Sequence, residues 1–344
     1  MFITVFINLE INMKYLTYSK IFLPFAFIIL ILLQGCNDSP GTWVNKQISS
    51  GKRDDFHKLN TEALQYIKAD DMNDLSILMS KELAAENYTN HTVDLISNEL
   101  KANDYTLMDE YYIVRDSTKA DTVNARSPTD GKTAYNLQYS NATGAKYIAL
   151  FIPKSGLSKS LISLIYNKYD YGWKISSLNV APYTINGKTA PELFELAKQQ
   201  FANNHLVSAV NTAQLATLCL KPAEIWQYNQ QDDINTFYGN LTYQANNKYS
   251  FPFVLTQVAT HPKIISIINQ SNDGGSYPEI YYVSSIKVAD TDAIKKENLE
   301  VRKAISTAMP GLDKDNKYLL YSVTNKVPSA TENTPRFDMI ERLQ

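Results

Sequence analysis

The side chains that could carry out acid–base or metal chemistry are few in this chain and stand far apart. Its four histidines are His57, His91, His205 and His261, and no local group of His, Cys and carboxylate residues has the spacing of a zinc site. The acidic pairs of the chain lack the regular oxygen spacing of a calcium loop. The sequence also has no P-loop, no glycine-rich dinucleotide motif and no nucleophile elbow. We therefore expect no metal, no cofactor and no catalytic site.

A different chemical feature stands near the start of the chain, where an apolar run ends in a cysteine. The run Ile21–Leu33 follows two lysines and leads into Leu-Gln-Gly-Cys at residues 33–36. This pattern resembles the signal peptide of a bacterial lipoprotein. The resemblance implies that residues 1–35 are removed and that Cys36 carries lipid at the new N-terminus. It implies a lipid-anchored protein of the cell envelope, periplasmic or surface-exposed, and we expect the outer membrane of a Gram-negative bacterium.

Other interpretations of this segment remain open. The apolar run has 13 residues, whereas a membrane-spanning helix needs about 20, and Pro24 would interrupt such a helix. A retained transmembrane anchor is therefore the weaker interpretation. The residues before Met13 contain no Lys or Arg, which favours Met13 as the true start. Residues 36–51 are expected to be a tether between the lipid and the first fold.

Charge and cysteine content limit the classes of function. The formal net charge is −2 and no basic stripe is present, so a nucleic-acid partner is not expected. The second cysteine, Cys219, stands in an apolar segment and is expected to be a small buried thiol. With Cys36 lipidated, Cys219 has no partner for a disulfide.

The first half of the chain has helical patterns followed by strand patterns. Apolar residues at helical spacing predict three helices, near residues 56–67, 75–83 and 93–100. Five strands are predicted after them, at residues 105–115, 133–139, 146–152, 161–169 and 173–180. This order predicts an α+β layer in which helices pack on one face of a curved antiparallel sheet.

The closing strand of this half begins Tyr-Gly-Trp-Lys-Ile at residues 171–175, and an acidic, Asn-containing break separates the first two helices. With these features, residues 52–182 resemble the NTF2-like superfamily. The resemblance implies a cone whose concave face forms a pocket, with Asp109, Arg115 and Trp173 as candidate pocket residues. His57 and His91 are the candidate histidines, although neither matches a family motif position and solvated surface is the better interpretation of both.

The second half is predicted to repeat the order of the first. A helical hairpin opens a second α+β domain at residues 190–327, with strands expected at 236–244 and 250–260 among others. A helix over 292–309 and a strand over 317–327 follow, and the polar tail 328–344 is expected to be loosely held. The full prediction is an α+β protein of two domains, each a helix pair packed on a curved antiparallel sheet.

Two classes of function agree with these patterns. The first is a non-catalytic lipoprotein that binds or scaffolds a partner protein, peptide or glycan of the envelope. The high tyrosine content, 23 residues, suits a peptide or sugar groove, although tyrosine on edge strands of an antiparallel sheet explains the count without a ligand and is the favoured explanation. The second class is a small-ligand carrier or an enzyme that uses an NTF2-like pocket. A pocket would hold polar side chains within an open cone, whereas an interaction module would fill the cone with side chains.

Overall fold

The structure is a computed structural model. It describes residues 39–115, 122–128, 131–140, 144–272, 275–329, 331 and 333–343. Residues 1–38, with the predicted signal peptide and Cys36, and residues 116–121, between the first two predicted strands, lie outside the described residues.

Helices and strands alternate in blocks along the described chain. The helices are α1 (Ser50–Lys68), α2 (Met72–Leu78), α3 (Lys81–Ala85), α4 (Thr89–Ala102), α5 (Ala190–Ala202), α6 (Leu206–Leu218), α7 (Gln231–Lys248) and α8 (Thr291–Ala308). The strands are β1 (Gly41–Val44), β2 (Tyr105–Val114), β3 (Thr122–Arg126), β4 (Tyr135–Ser140), β5 (Ala145–Pro153), β6 (Lys159–Tyr169), β7 (Gly172–Thr184), β8 (Trp226–Tyr228), β9 (Phe253–Val254), β10 (Lys263–Asn272), β11 (Gly275–Val283), β12 (Tyr318–Thr324) and β13 (Arg336–Arg342).

The first layer consists of helices α1 to α4 packed on a five-stranded sheet of order β1-β2-β5-β6-β7. The pairs β2/β5, β5/β6 and β6/β7 are antiparallel. Helix α1 buries Phe56, Ala63 and Ile67 along one stripe, because residues three, four and seven positions apart share a helix face. The predicted α+β class, with helices on one face of an antiparallel sheet, is confirmed here.

The second layer is built on a five-stranded sheet of order β13-β12-β11-β10-β9, with α8 between β11 and β12 in the sequence. β11 and β12 are parallel, so the expectation of a purely antiparallel sheet is wrong at this pair. A parallel pair needs a long crossover connection, and α8 supplies it. Apolar residues of α8, among them Val301 and Ile305, pack against this sheet.

A small third sheet joins chain segments from both halves. Its order is β3-β4-β8, and β4 pairs with β8 through Tyr135↔Tyr228 and Leu137↔Trp226. The Trp226 ring stacks on Tyr135 with 3.5 Å between ring centroids. Asn186 lies near the predicted domain boundary. Its Oδ1 accepts a hydrogen bond from the backbone N–H of Ser276, and its Nδ2 donates to the Ser276 carbonyl. These pairs tie the two layers together within Thr42–Gln344, which forms one unit by backbone contacts.

Three segments of the second half differ from their predicted structure. Of the strand predicted over 250–260, only Phe253–Val254 is a strand, and turns follow it. The strand predicted over 236–244 is part of helix α7, where Ile234 and Leu241 are buried at helical spacing. The tail predicted to be loose contains β13, which pairs with β12. Along β13, partly buried residues alternate with exposed ones, and the partly buried Phe337 and Met339 pack on the core. Because side chains two residues apart share a strand face, these contacts hold the segment on the sheet.

Candidate functional site

Strand β2 carries two neighbouring carboxylates to opposite faces of the first sheet. Asp109 and Glu110 follow a register shift between Leu107 and Asp109, and successive strand residues point to opposite faces. Both carboxylates are buried, and buried charge is costly unless it is hydrogen-bonded. Each therefore needs its own set of partners.

Asp109 lies among hydroxyl and amide donors on the face away from helix α1. The Tyr135 hydroxyl donates to its Oδ2 at 2.6 Å, and Asn45 Nδ2 donates to its Oδ1 at 2.8 Å. The Tyr111 hydroxyl donates in turn to the Tyr135 hydroxyl at 2.9 Å. Burial raises the pKa of both Tyr111 and Tyr135 well above the ordinary value, so both remain hydrogen-bond donors at neutral pH. This closed arrangement holds β1, β2 and β4 in place.

Asn45 connects the Asp109 carboxylate with the backbone of Glu110. Its backbone adopts a left-handed conformation, with φ of 51°, which Asn tolerates better than most residues. Its Nδ2 serves Asp109, while its Oδ1 accepts the backbone N–H of Glu110 at 2.8 Å. One side chain thus braces β2 at the point where the two carboxylates diverge.

Glu110 lies between helix α1 and the sheet. His57 Nε2 is 3.1 Å from its Oε2 and 3.2 Å from its Oε1, and the Tyr147 hydroxyl donates to its Oε2 at 2.8 Å. Asn60 Nδ2 donates to the Tyr147 hydroxyl at 2.9 Å. Burial, with the Glu110 charge beside it, raises the pKa of Tyr147. We refer to His57, Asn60, Glu110 and Tyr147 as the Glu110 cluster.

Aromatic rings fill the space next to the Glu110 cluster. The Phe56 ring stacks on Tyr147 with 3.9 Å between centroids and an interplanar angle of 3°. The Trp173 ring meets Phe56 edge-on at 5.0 Å, and Tyr112 lies 5.7 Å from Phe56. Such stacked and edge-to-face pairs are the favoured ring geometries. The interior between α1 and the sheet is therefore occupied by side chains.

His57 reaches the surface from this interior. Its side chain is 43% exposed, against 4% for Glu110, and it lines an open groove of about 440 Å³ along α1. The other lining residues of this groove are Asp54, Lys58, Thr61 and Glu62. A carboxylate that holds one ring nitrogen of a histidine can orient the ring and support proton transfer at the other nitrogen.

The predicted pocket residues do not meet in one place. Asp109 and Glu110 point to opposite faces, and Arg115 lies at the far end of β2, where its Nη2 is 3.5 Å from the Thr42 hydroxyl. Arg115 Nε is buried with no hydrogen-bond partner among the described residues. Trp173 packs within the aromatic interior. The histidine that contacts a strand carboxylate is His57, and its partner is Glu110, which the sequence analysis did not single out.

The other residues considered in the sequence analysis lie away from the Glu110 cluster or are buried. Cys219 is buried, and burial raises its pKa to about 12, so its thiol is protonated at neutral pH. His205 Nδ1 is 2.9 Å from Asp315 Oδ2, far along the chain from the Glu110 cluster. Within the described ranges, no group of three His, Cys, Asp or Glu side chains is placed to hold a metal ion.

In comparison with known proteins, no protein-family model, no curated protein and no solved structure matches the chain. The resemblance of residues 52–182 to the NTF2-like superfamily therefore stays a prediction. None of the helices in the described part of the chain combines the length and apolar character needed to cross a bilayer.

Proposed function

We propose that this chain is a lipid-anchored lipoprotein of the cell envelope that acts as a binding or scaffolding module rather than as an enzyme. Its partner is an envelope protein, a peptide or a glycan, and its anchor is lipid on Cys36. We place it on the periplasmic or outer face of the outer membrane of a Gram-negative bacterium. The lipid anchor and the binding role are supported by separate arguments.

The observation that carries the role is the filled interior of the first layer. Phe56, Tyr112, Tyr147 and Trp173 occupy the space where an NTF2-like pocket would lie. An open cone of several hundred Å³ is what a small-ligand site requires. With the interior occupied, the surfaces of the protein are the available places for binding.

The proposed lipid anchor is supported by the energetics of acyl-chain burial and by the short segment between Cys36 and the folded unit. Each buried methylene of an acyl chain contributes about 0.8 kcal/mol, so the multiple acyl chains of a mature lipoprotein cysteine hold a protein stably on a bilayer. The folded unit begins at Thr42, a few residues after Cys36. Because an extended residue spans at most about 3.6 Å, the fold would be held close to the membrane surface.

Photo-cross-linking in living cells tests the role. A photoreactive side chain would replace exposed residues on separate surfaces, Tyr88, Tyr243 and Ile340, with buried Trp226 as the matched control position. We expect one of the exposed positions to give a discrete adduct, identified by mass spectrometry, and the adduct to disappear in Cys36→Ser. Absence of adducts at all surfaces, with a small molecule co-purifying in the first layer, would contradict the proposal.

The Glu110 cluster favours a second candidate, a small-ligand carrier or enzyme of the first layer. A buried carboxylate that holds a half-exposed histidine beside a groove is a common arrangement for proton transfer. Replacing His57 by Gln separates the candidates: a pocket function would be lost with the fold intact, whereas the cross-linked adduct of an interaction module would persist.

A further inference from the structure

One end of the first sheet combines the start of the folded chain with exposed aromatic and lysine side chains. Asn45, which directly follows β1, contacts Asp109 and Glu110, whereas Thr42 within β1 lies 3.5 Å from Arg115. Moving from Asn45 back to Thr42 therefore follows β2 towards its C-terminal end. β1 therefore begins at that end of the sheet.

The hairpin between β6 and β7 lies at the same end. Val114 pairs with Ala145, Lys146 with Asn167, and Lys168 with Trp173. The hairpin residues Tyr169 to Gly172 are therefore level with Thr42. β1 and β6 are three strands apart in the sheet, which corresponds to about 15 Å at the usual strand spacing.

The side chains of this end are aromatic, apolar and cationic. The rings of Tyr169 and Tyr171 stack at 5.1 Å, and Tyr171 is 46% exposed. Lys81 Nζ lies 5.4 Å from the Tyr171 ring centroid, and Lys168 Nζ lies 5.7 Å from that of Trp173. Trp173, whose ring packs on Phe56, is only partly buried. We call the surface formed by Lys81, Lys168, Tyr169, Tyr171 and the accessible part of Trp173 the hairpin end.

Neighbouring residues extend the hairpin end. Lys174 Nζ donates to the Ile77 carbonyl at 2.6 Å, and the Ile77 side chain is 65% exposed. Two acidic residues, Glu82 and Asp170, stand among the three lysines, so the surface is only weakly cationic. Its apolar and aromatic content is thus as prominent as its charge.

We propose that the hairpin end rests on the bilayer that holds Cys36 and fixes the orientation of the folded unit on the membrane. The inference rests on the proposed lipid anchor. Trp and Tyr suit the membrane interface, since they join an apolar body to a polar tip. Lysines close to the surface are attracted to anionic headgroups.

The test uses the acylated full-length chain, purified and reconstituted into vesicles of phosphatidylethanolamine and phosphatidylglycerol. A spin label at Asp170→Cys reports on the hairpin end, and one at Tyr243→Cys, where the native tyrosine is 70% exposed, is the matched control. Buried Cys219 and acylated Cys36 leave the new cysteine as the reactive thiol. Collision with oxygen in the lipid phase and with a water-soluble nickel complex gives the position of each label.

We expect the label at 170 to contact lipid and the label at 243 to remain in water. In Lys168→Glu, the ratio of lipid-contacting to aqueous signal at position 170 should fall on the order of tenfold, since two charges change at the surface. The matched charge change Lys295→Glu, at an α8 side chain that is 59% exposed, should leave that ratio unchanged.

The outcomes separate this inference from the anchor. An acylated chain whose label at 170 stays in water overturns the inference and leaves the anchor intact. Spin–spin broadening at 170 without lipid contact also overturns it, in favour of contact with a second copy of the chain. A mass that shows Cys36 unmodified contradicts the anchor and, with it, the inference.

Discussion

In the first layer, helix α1 meets the sheet through stacked aromatic rings and the Glu110 cluster, whereas in the second layer helix α8 meets its sheet largely through aliphatic side chains. Phe56, Tyr147 and Glu110 lie together in the first interface. Val301, Ile305 and Ile280 lie in the core of the second, where the Tyr282 and Glu297 side chains are also buried. The Glu110 cluster therefore adds a hydrogen-bonded polar group to packing that aliphatic side chains largely provide in the second layer.

The comparison also shows where the two candidate functions differ. The cluster is hydrogen-bonded inside a filled interior, although Asn60 Oδ1 is buried without a partner among the described residues, and such a cluster can specify one packing arrangement without binding anything. The same cluster reaches the surface through His57, which a pocket function would need. Perturbing the two layers in matched pairs therefore tests which interpretation holds.

The largest effect is expected for Phe56→Ala. The lost ring leaves a cavity and unstacks Tyr147, at a cost of about 3–5 kcal/mol in the free energy of unfolding. Ile305→Ala is the matched change in the second layer, where about 2–4 kcal/mol is expected. Urea unfolding of both variants measures the difference. A greater cost for Ile305→Ala would remove the distinction between the layers.

The next effect depends on pH and concerns Lys146, on the opposite face of the first sheet. Burial lowers the pKa of Lys146 from 10.5 to about 8. The unfolded chain keeps this proton up to about pH 10.5, so the cost of burying the charge is present below pH 8 and disappears as the pH rises to 10.5.

Relative to Lys146→Met, the wild-type free energy of unfolding should therefore rise by about 3 kcal/mol across that interval. Subtracting the variant removes contributions from other groups, such as buried tyrosines, that titrate nearby. A difference that stays flat between pH 8 and 10.5 would show that the ammonium group is solvated in the folded state.

A smaller effect is expected when a glutamate in each layer is replaced by glutamine. Glu110→Gln leaves one acceptor oxygen for the His57 and Tyr147 donors, at a cost of about 1–3 kcal/mol. Glu297 is buried in the second layer, bonds Thr260 through Oε1 and has no partner for Oε2 within the described structure. Glu297→Gln should change stability by less than about 0.5 kcal/mol. Equal costs measured by thermal unfolding would contradict this contrast.

The smallest effect is expected for His57→Gln. Its side chain is partly exposed, and a polar pair in contact with water contributes about 0–1 kcal/mol. The amide can still donate to Glu110. A loss near 3 kcal/mol in chemical unfolding would mean that His57 supports the interior far more than its exposure suggests.

Much of the first layer could be predicted from the sequence, because its segments have one strong period. Phe56, Ala63 and Ile67 mark one buried helical stripe, and the strands around Tyr105 and Trp173 are rich in β-forming residues. In the second half, aromatic and polar residues in α7 suggested a strand, although Ile234 and Leu241 had helical spacing. Propensity was there outweighed by tertiary packing.

The candidate site was harder to predict, since its members are far apart in the sequence. Asn45, His57 and Glu110 come together only when β1 and α1 pack against β2. A usable signal did exist, because Asp109-Glu110 places two acids in the middle of a strand expected to be buried. Asp109 and Glu110 have different hydrogen-bond partners because successive strand residues point to opposite faces of the sheet. Which face each one takes can be assigned only when the register shift in β2 is known.

The most direct test of the proposed function is the intact mass of the protein extracted from bacterial membranes, for the wild type and for Cys36→Ser. We predict that the wild type begins at Cys36, carries acyl chains and fractionates with the outer membrane, whereas Cys36→Ser lacks the added mass and leaves that fraction. A wild-type protein that is unmodified at Cys36 and recovered away from membranes would contradict the proposal that this fold is a tethered envelope module.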